Sequence, residues 1–570
     1  MPDVSFLKSL FCGVIAESMA FPFPGPSRAE GEETVALLDA VKRFMRTTYE
    51  PQRGSHDGPI PPEILAQAGK IGLFGLALPR EFGGRQLSPT TFARVVQELG
   101  ALDPSLALVI RAHQTLGASP LARHGTVGQK SRWLTKLASG ETIAAYALTE
   151  DGAGSDAAGV RTYARAEGAN WLVDGRKIWV TNGPIAGLFT VFARTSPVEE
   201  GVKPKLTAFL VDREDGIRTT ANQKLHGVRG ATIGSLDLAN VHLDGSRVLG
   251  TVGQGFKIAV ETLNHARLGS AAAASGTARN LLDLSIRHAR ERAAFGRPVG
   301  DFGLVKDKIA SMLADVFALE SMVFLTTGLL DVEAADFSIE SAACKVFASE
   351  TVVRVAEHAA AIVAGRAFSG DHPMERGLRD ARHHLVIDGT NEVLRAFIAL
   401  SGMQAPGRDL ANVAKAMREP IKGFGLLGEF AVRKARSALG RERLTRAHPL
   451  LNREVVLFED YVADLSKNAE KMLRRHGEAI AEMQFSQRRM ADLAIDLFAL
   501  ASVLSRTSRA IERRGEEGAR REVDLATIFA ASAEKRMAAN VSGFDRNDDE
   551  LRKTAASRAY QDGAYPFELF

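Results

Sequence analysis

One carboxylate, one glycine-rich loop and one aromatic–hydroxyl pair are the residues of this chain whose types and spacing could do chemistry. Asp388 stands in the run VIDGTNEV, behind the basic, helix-like stretch RGLRDARHHL. At such a helix-to-turn junction, followed by Gly389, Thr390 and Asn391, a carboxylate can act as a general base. Alone, the window reads equally well as an Asx-type turn bonding its own backbone. YALTEDGAGSD, from Tyr146 to Asp156, passes from a strand into a Gly/Ser loop rich in backbone N–H donors. Such a loop can approach a flat cofactor closely and meet its polar atoms. KIWVTNG sets Trp179 and Thr181 two residues apart on one strand face, an aromatic wall beside a hydroxyl. RERAAFG adds Arg292 and Phe295 at helical spacing. Taken singly, each has a plain reading as a loop, a core tryptophan or a solvated arginine.

Rigid elements must position these residues, and the periodicity supplies a plan. VALLDAVKRFM, PPEILAQAGKIGLFGL and SPTTFARVVQELGAL repeat apolar residues at steps of three and four, which predicts helices. WLVDGRKIWV, LFTVFART, LTAFLVDRE and IGSLDLANVHL are short and alternating, with Asp-Gly and Asn-Gly turns between them. They predict a compact antiparallel barrel or sandwich. GQGF then reads as a strand-to-helix turn, and SAAAASGTARNLLDLSIRHARERAAF suits tightly packed bundle helices. The expected class is mainly α with a central β domain. Its parts are an N-terminal helical domain (1–145), a middle β-barrel domain (146–258), a helical bundle (259–405) and an additional C-terminal helical domain (420–570).

Composition excludes several functions. A formal charge of +4 over 570 residues, with no dense basic stripe and interleaved aromatics, gives no case for a nucleic-acid partner. Cys12 and Cys344 form no CxxC pair, so structural zinc and a disulfide framework are not expected, and no metal is assigned. There is no P-loop, no G-x-G-x-x-G between strand and helix, no H-E-x-x-H and no G-x-S-x-G. The adjacent His383 and His384 have no carboxylate at ligand spacing and read as surface or packing residues. The stretch SFLKSLFCGVIAESMAFPFP lacks a basic leading region and a small-residue cleavage site, and reads as a segment docked on the protein body. Residues 420–446 read as a basic amphipathic helix suited to peripheral contact with an anionic membrane. No apolar run is read as a membrane span.

Together and in this order, the windows resemble the acyl-CoA dehydrogenase family, most closely its very-long-chain branch. Supporting windows are GLFGLALPREFGG, KLASGETIAAYALTE, GQGFKIAVETLNHARLGSAAAASGTAR and DGTNEVLRAFIALSG, with QRRMADLAIDLFALASVLSRTSR resembling that branch's extra helical domain. The resemblance implies FAD as cofactor, with Tyr146, Leu148, Thr149, Gly154 and Ser155 lining the flavin. Trp179, Val180 and Thr181 would flank the isoalloxazine, and Thr390 and Asn391 would meet it from the far side. Arg292 would reach the FAD of a second subunit, which implies a homodimer at least, and Phe295 and Gly365 would also serve FAD. Ser155, Arg267, Ile387 and Gly389 would lie along the substrate, with Asp388 as catalytic base. The implied reaction is α,β-dehydrogenation of a long-chain acyl-CoA to the trans-2-enoyl-CoA, with electron-transfer flavoprotein as partner. The implied location is cytoplasmic or inner-membrane-associated in a bacterium, and mitochondrial in a eukaryote. Alternatives within the resemblance are an oxidase, a dehydrogenase of an atypical substrate, and a low-activity assembly protein.

Departures from the family pattern fall at the same places. The family writes glutamate where this chain has Asp388, one methylene shorter. The helix position from which some relatives supply a glutamate instead is Ala266. Aspartate serves as base in nitroalkane oxidase, a wider relative. Ala361, Ala364 and Ala367 replace a glutamine and two glycines around Gly365, and Lys306 replaces a further glutamine, all toward the adenosine half of FAD. Arg111 stands where the long-chain relatives carry a small residue, so a buried side chain there would shorten or polarise the acyl tunnel.

Overall fold

The computed structural model describes residues 5–54, 56–196, 205–221, 225–332, 336–370, 372–418 and 442–568. The chain divides into two compact units, one built on Phe23–Leu394 and the other on Arg395–Phe570 together with the N-terminal segment ending at Pro22. The expected break after residue 405 lies inside the Asn391–Arg418 helix, which runs through Pro406.

In the second unit, helices Asn452–His476, Gln484–Gly518 and Arg520–Gly543 bury an apolar core that includes Phe458, Phe498 and Phe529. The N-terminal helix Phe6–Phe11 belongs to this core, with the Phe6 and Phe498 rings 6.0 Å apart. The basic segment read as an amphipathic helix lies almost wholly outside the described residues, which omit 419–441.

The first unit opens with capped helices. Ser27 closes a capping box on Arg28–Phe44, Ser88 caps Pro89–Leu102, and Asp103 caps Pro104–Arg111. The helix expected through PPEILAQAGKIGLFGL stops at Lys70, because Gly72 takes φ +81° and the backbone turns there. Strands β1 (Ala144–Ala147), β2 (Tyr163–Glu167), β3 (Asn170–Thr181), β4 (Leu188–Arg194), β5 (Leu206–Asp212), β6 (Arg218–Ala221), β7 (Ile233–Leu243) and β8 (Val248–Leu249) form one sheet. Its order is β6-β7-β3-β2-β4-β5-β8, with β1 pairing β4. The pairing is not wholly antiparallel as expected: β1 and β2 each meet β4 in parallel. Asp174-Gly175 is no hairpin turn either. It lies inside β3 at a register shift against β7, where a Cβ on Gly175 would strike Thr162 Oγ1 at 2.4 Å.

After the sheet, helices Gly255–Glu291, Gly303–Asp331 and Ser338–Val363 form the bundle. The small residues of SAAAASG are there for close approach. A Cβ on Gly276 would lie 1.8 Å from the Gln97 carbonyl oxygen, and one on Gly100 would lie 2.3 Å from that of Ala273. Gly303–Asp331 is apolar and long enough to cross a membrane by composition, yet 67% of its most apolar stretch is buried inside the protein, as in a bundle-core helix.

Candidate active site

The Asp388 turn is held between three helices by three buried cations. After the Pro373–Ala381 helix and a 3₁₀ turn at Arg382–Leu385, the chain swings through Asp388 (φ +58°) and Gly389 (φ +107°) before Asn391 starts the next helix. A left-handed aspartate is uncommon and requires surrounding structure to hold it. That structure is specific. Lys345, from the middle of Ser338–Val363, donates from Nζ to the carbonyls of Leu385 (3.1 Å) and Gly389 (2.6 Å) and to Asn391 Oδ1 (2.9 Å). Arg267, from Gly255–Glu291, donates from Nε to the Asp388 carbonyl (3.3 Å) and from Nη1 to Asn264 Oδ1 (2.8 Å). Arg111, the last residue of Pro104–Arg111, places Nη1 at 3.0 Å from Asp388 Oδ2, with the two side chains 1% and 3% exposed. Asn391 Nδ2 in turn donates to Ser349 Oγ (2.9 Å) and Glu350 Oε1 (3.1 Å).

Burial sets the protonation of this cluster. It pulls Lys345 down to about 8 and Arg267 down to about 10, in both cases against the opposing attraction of Asp388. Both therefore stay cationic at neutral pH. Burial also holds His383 at about 4 and His384 well below the usual imidazole range, with Arg111 disfavouring charge on each, so both rings are neutral. The Tyr146 phenol is pushed up by burial and stays protonated, with Arg267 and Asp388 close enough to act on it. Beside these groups lies a small apolar cluster of Ala112, Leu116 and Ala266, packed by Tyr146 and Leu263. His265, next to Ala266, is turned away against Phe337, with ring centroids 5.1 Å apart, and burial takes it down to about 3.

A second group of sequence-predicted residues meets on the sheet. The loop after β1 is bonded to β3: Lys177 Nζ donates to the Leu148 carbonyl (3.0 Å) and Glu150 Oε1 (2.7 Å), and Ile178 N–H to the Thr149 carbonyl (2.9 Å). Glu150 also accepts from the backbone N–H groups of Arg161 and Thr162. The buried Lys177–Glu150 pair thus braces the loop from which Gly154 and Ser155 are exposed. A bulge between Lys177 and Val180 gives Trp179 φ +56° and turns its indole outward, 63% exposed, while Val180 points into the core and Thr181 is half-buried.

Arg292 and Phe295 are not at helical spacing. The helix ends at Glu291, and β9 (Ala293–Ala294) pairs with β10 (Arg297–Pro298) across a tight hairpin. Phe295 and Gly296 both take positive φ there, the requirement of a two-residue turn, and leave the Phe295 ring 95% exposed. Gly365 is exposed with open space around it, and Ala361, Ala364, Arg366 and Lys306 are also exposed. Ile387 and Gly389 are half-buried on either side of Asp388. Ser155 lies in its exposed loop, whereas Arg267 is buried beneath the Asp388 turn.

Lys345 and the Ser349–Asn391 bonds are contacts of the candidate site that the sequence did not reveal. The available signal was a single lysine within the small, apolar run SAACKVFAS. No group of His, Cys, Asp and Glu suited to a metal occurs among the described residues.

Comparison with known proteins shows the family. The chain matches the family descriptions "Acyl-CoA dehydrogenase, N-terminal domain" over residues 31–141, "middle domain" over 145–241 and "C-terminal domain" over 253–403. It also matches "ACAD9/ACADV, C-terminal domain" over 449–562. It is 35% identical over 544 residues to the very long-chain specific acyl-CoA dehydrogenase, mitochondrial, of Homo sapiens, covering 94% of this chain and 83% of the relative. It is 30% identical over 572 residues to a probable acyl-CoA dehydrogenase, FadE10, of Mycobacterium tuberculosis, covering 96% and 87%. An acyl-CoA dehydrogenase complexed with FAD from Bacillus anthracis superposes with a TM-score of 0.81 at 25% identity, over 100% of this chain and 96% of that one. The chain belongs to the acyl-CoA dehydrogenase family. It is an FAD-dependent oxidoreductase that dehydrogenates acyl-CoA thioesters.

The residues present fit FAD. A Cβ on Gly152 or Gly154 meets nothing within 4 Å, so the loop leaves room for a flat ring beside the outward indole of Trp179.

Proposed function

We propose that Asp388 is the base that removes the α-proton of the acyl thioester, and that the three cations around it fix where that proton is taken. The supporting observation is the Asp388 turn itself: a left-handed backbone with carbonyls, side chain and following asparagine all bonded to buried groups. The shorter side chain is offset by a backbone that cannot drift, which matters because a displacement of about 1 Å can cost about a hundredfold in rate. Ala266, buried in the apolar cluster, offers no second carboxylate. The acceptor for the hydride leaving the β-carbon would be supplied by bound FAD. Tyr146, Leu148, Thr149, Gly154, Ser155, Trp179, Val180, Thr181, Thr390 and Asn391 would hold the flavin, and Ser155, Arg267, Ile387 and Gly389 would hold the thioester. Lys177 and Glu150 keep the flavin loop at its distance from β3.

Electron-transfer flavoprotein as acceptor and a homodimer complete the proposal. The exposed Phe295 and Arg292 of the β9–β10 hairpin support the dimer, since a ring 95% exposed gains from a covering surface. Peripheral membrane contact through 420–446 rests on sequence pattern alone, and flotation with anionic vesicles tests it. The test of the base is anaerobic titration of the FAD-loaded enzyme with acyl-CoAs of increasing length. Flavin bleaching is expected in the native enzyme and a loss of about a hundredfold to ten-thousandfold in Asp388→Asn. Bleaching by the amide at the native rate would sink the assignment.

A further inference from the structure

Arg111 carries information about the substrate that the family assignment does not. It is 0% exposed, the largest side chain fully buried in the described residues. Its stem packs beside the Gly255–Glu291 helix, with the Arg111 Cδ 3.8 Å from where a Cβ on Gly269 would stand, an ordinary packing distance. The guanidinium has a partner on one side only. Nη1 is bonded to Asp388 Oδ2, while Nη2 is buried with no hydrogen-bond partner. An unsatisfied charged donor at this depth is costly, and native proteins keep few of them without a functional or structural reason. The charges nearby do not complete it. Asp388 is shared with Arg111, the Asp388 carbonyl is taken by Arg267, and Glu350 faces Asn391. The neighbouring residue Ala112 opens the apolar cluster of Leu116, Ala266, Leu263 and Tyr146 beside the base.

Two consequences follow for an incoming acyl chain. An unsubstituted hydrocarbon would lie against a buried guanidinium, leave Nη2 unsatisfied, and leave Arg111 on the oxygen that must receive the α-proton. A chain carrying a carboxylate a few carbons beyond the reacting bond would accept from Nη2 and Nη1 together, the two-pronged geometry arginine favours. That contact would also draw the guanidinium off Asp388 Oδ2 and leave the oxygen open to the proton.

Resting on the dehydrogenase reading above, we infer that Arg111 is a specificity-determining residue selecting acyl-CoA thioesters that bear a carboxylate on the acyl chain, and that Nη2 is the vacant half of that carboxylate's site.

The test compares matched pairs on the FAD-loaded enzyme: adipyl-CoA against hexanoyl-CoA, and suberyl-CoA against octanoyl-CoA. Two ratios are read, kcat/KM for oxidation and, by calorimetry, Kd for the corresponding trans-2-enoyl products, which are not oxidised further. The carboxylated member is expected to be favoured by about tenfold to a hundredfold in each ratio, the range of a charge-assisted hydrogen bond in a buried site. Arg111→Gln should reverse the preference and Arg111→Lys should retain part of it. The native ratios stand even if a variant fails to fold. Equal or inverted ratios in the native enzyme overturn this inference alone. So does an Arg111→Gln variant that accepts longer chains with the carboxylate preference unchanged, which would make Arg111 a steric stop. Binding of neither class overturns the inference together with the reading on which it rests.

Discussion

The turn that carries Asp388 and the wall that carries Trp179 are built in opposite ways. Around Asp388, Arg111, Arg267 and Lys345 are buried cations with named acceptors, and the strained backbone is fixed from three helices. On the sheet side and along the β9–β10 hairpin, Trp179 and Phe295 stand outward at 63% and 95% exposure, and Gly154 and Gly365 have open space where a side chain would be. The half to which the proposal gives the proton transfer is completed from the chain's own residues. The aromatic half presents surfaces that a flat cofactor and, in the proposal above, a second subunit would cover. Substitutions should therefore act differently in the two places: on stability and rate at the turn, on cofactor retention at the wall.

The largest effect is expected from Lys345→Met, which removes the donor to the buried Leu385 and Gly389 carbonyls and leaves Asn391 Oδ1 with Ser349 Oγ. Chemical denaturation should show a loss of about 3 kcal/mol. Next, Trp179→Ala should weaken FAD binding about tenfold, by removal of one exposed aromatic wall, with little change in denaturation midpoint. Fluorescence of released flavin measures it. A comparable loss of global stability would erase the contrast between the regions.

A smaller effect is expected from pH. Lys345 titrates at about 8, lowered chiefly by burial, so raising the pH through that value leaves two N–H donors for three acceptors. The rate of flavin reduction should fall by about two- to tenfold above this pH, the worth of one hydrogen bond. Lys345→Arg, which keeps its proton, should move the fall to higher pH. Smallest is Ala364→Gly. Ala364 ends the Ser338–Val363 helix at φ 59°, ψ −137°, a region that suits glycine. Relief of that strain should raise stability by about 1 kcal/mol, read from the denaturation midpoint.

The two regions were also unequally legible in the sequence. Helices and strands followed from their periods, and the loop from Tyr146 to Asp156 from its glycines. Phe295 falls off the expected helix because the spacing of RERAAFG cannot reveal a helix that stops at Glu291, with the turn set by the positive φ of Phe295 and Gly296. Asp174-Gly175 carries turn residues but sits in a bulge, because Thr162 packs where a side chain would be. At the Asp388 turn, the sequence named the aspartate and questioned Arg111. It could not say that they touch across 277 residues of separation, nor that Lys345 joins them from a third helix. Those contacts are tertiary, and no local pattern encodes them.

The central claim is that Asp388 takes the α-proton. Its most direct test is exchange of the α-hydrogens of a 3-thiaacyl-CoA, which has no β-hydride to lose, into deuterated water on the FAD-loaded enzyme, followed by NMR. The account predicts exchange in the native enzyme and in Asp388→Glu, and none above background in Asp388→Asn. Exchange by the asparagine variant at the native rate would contradict it.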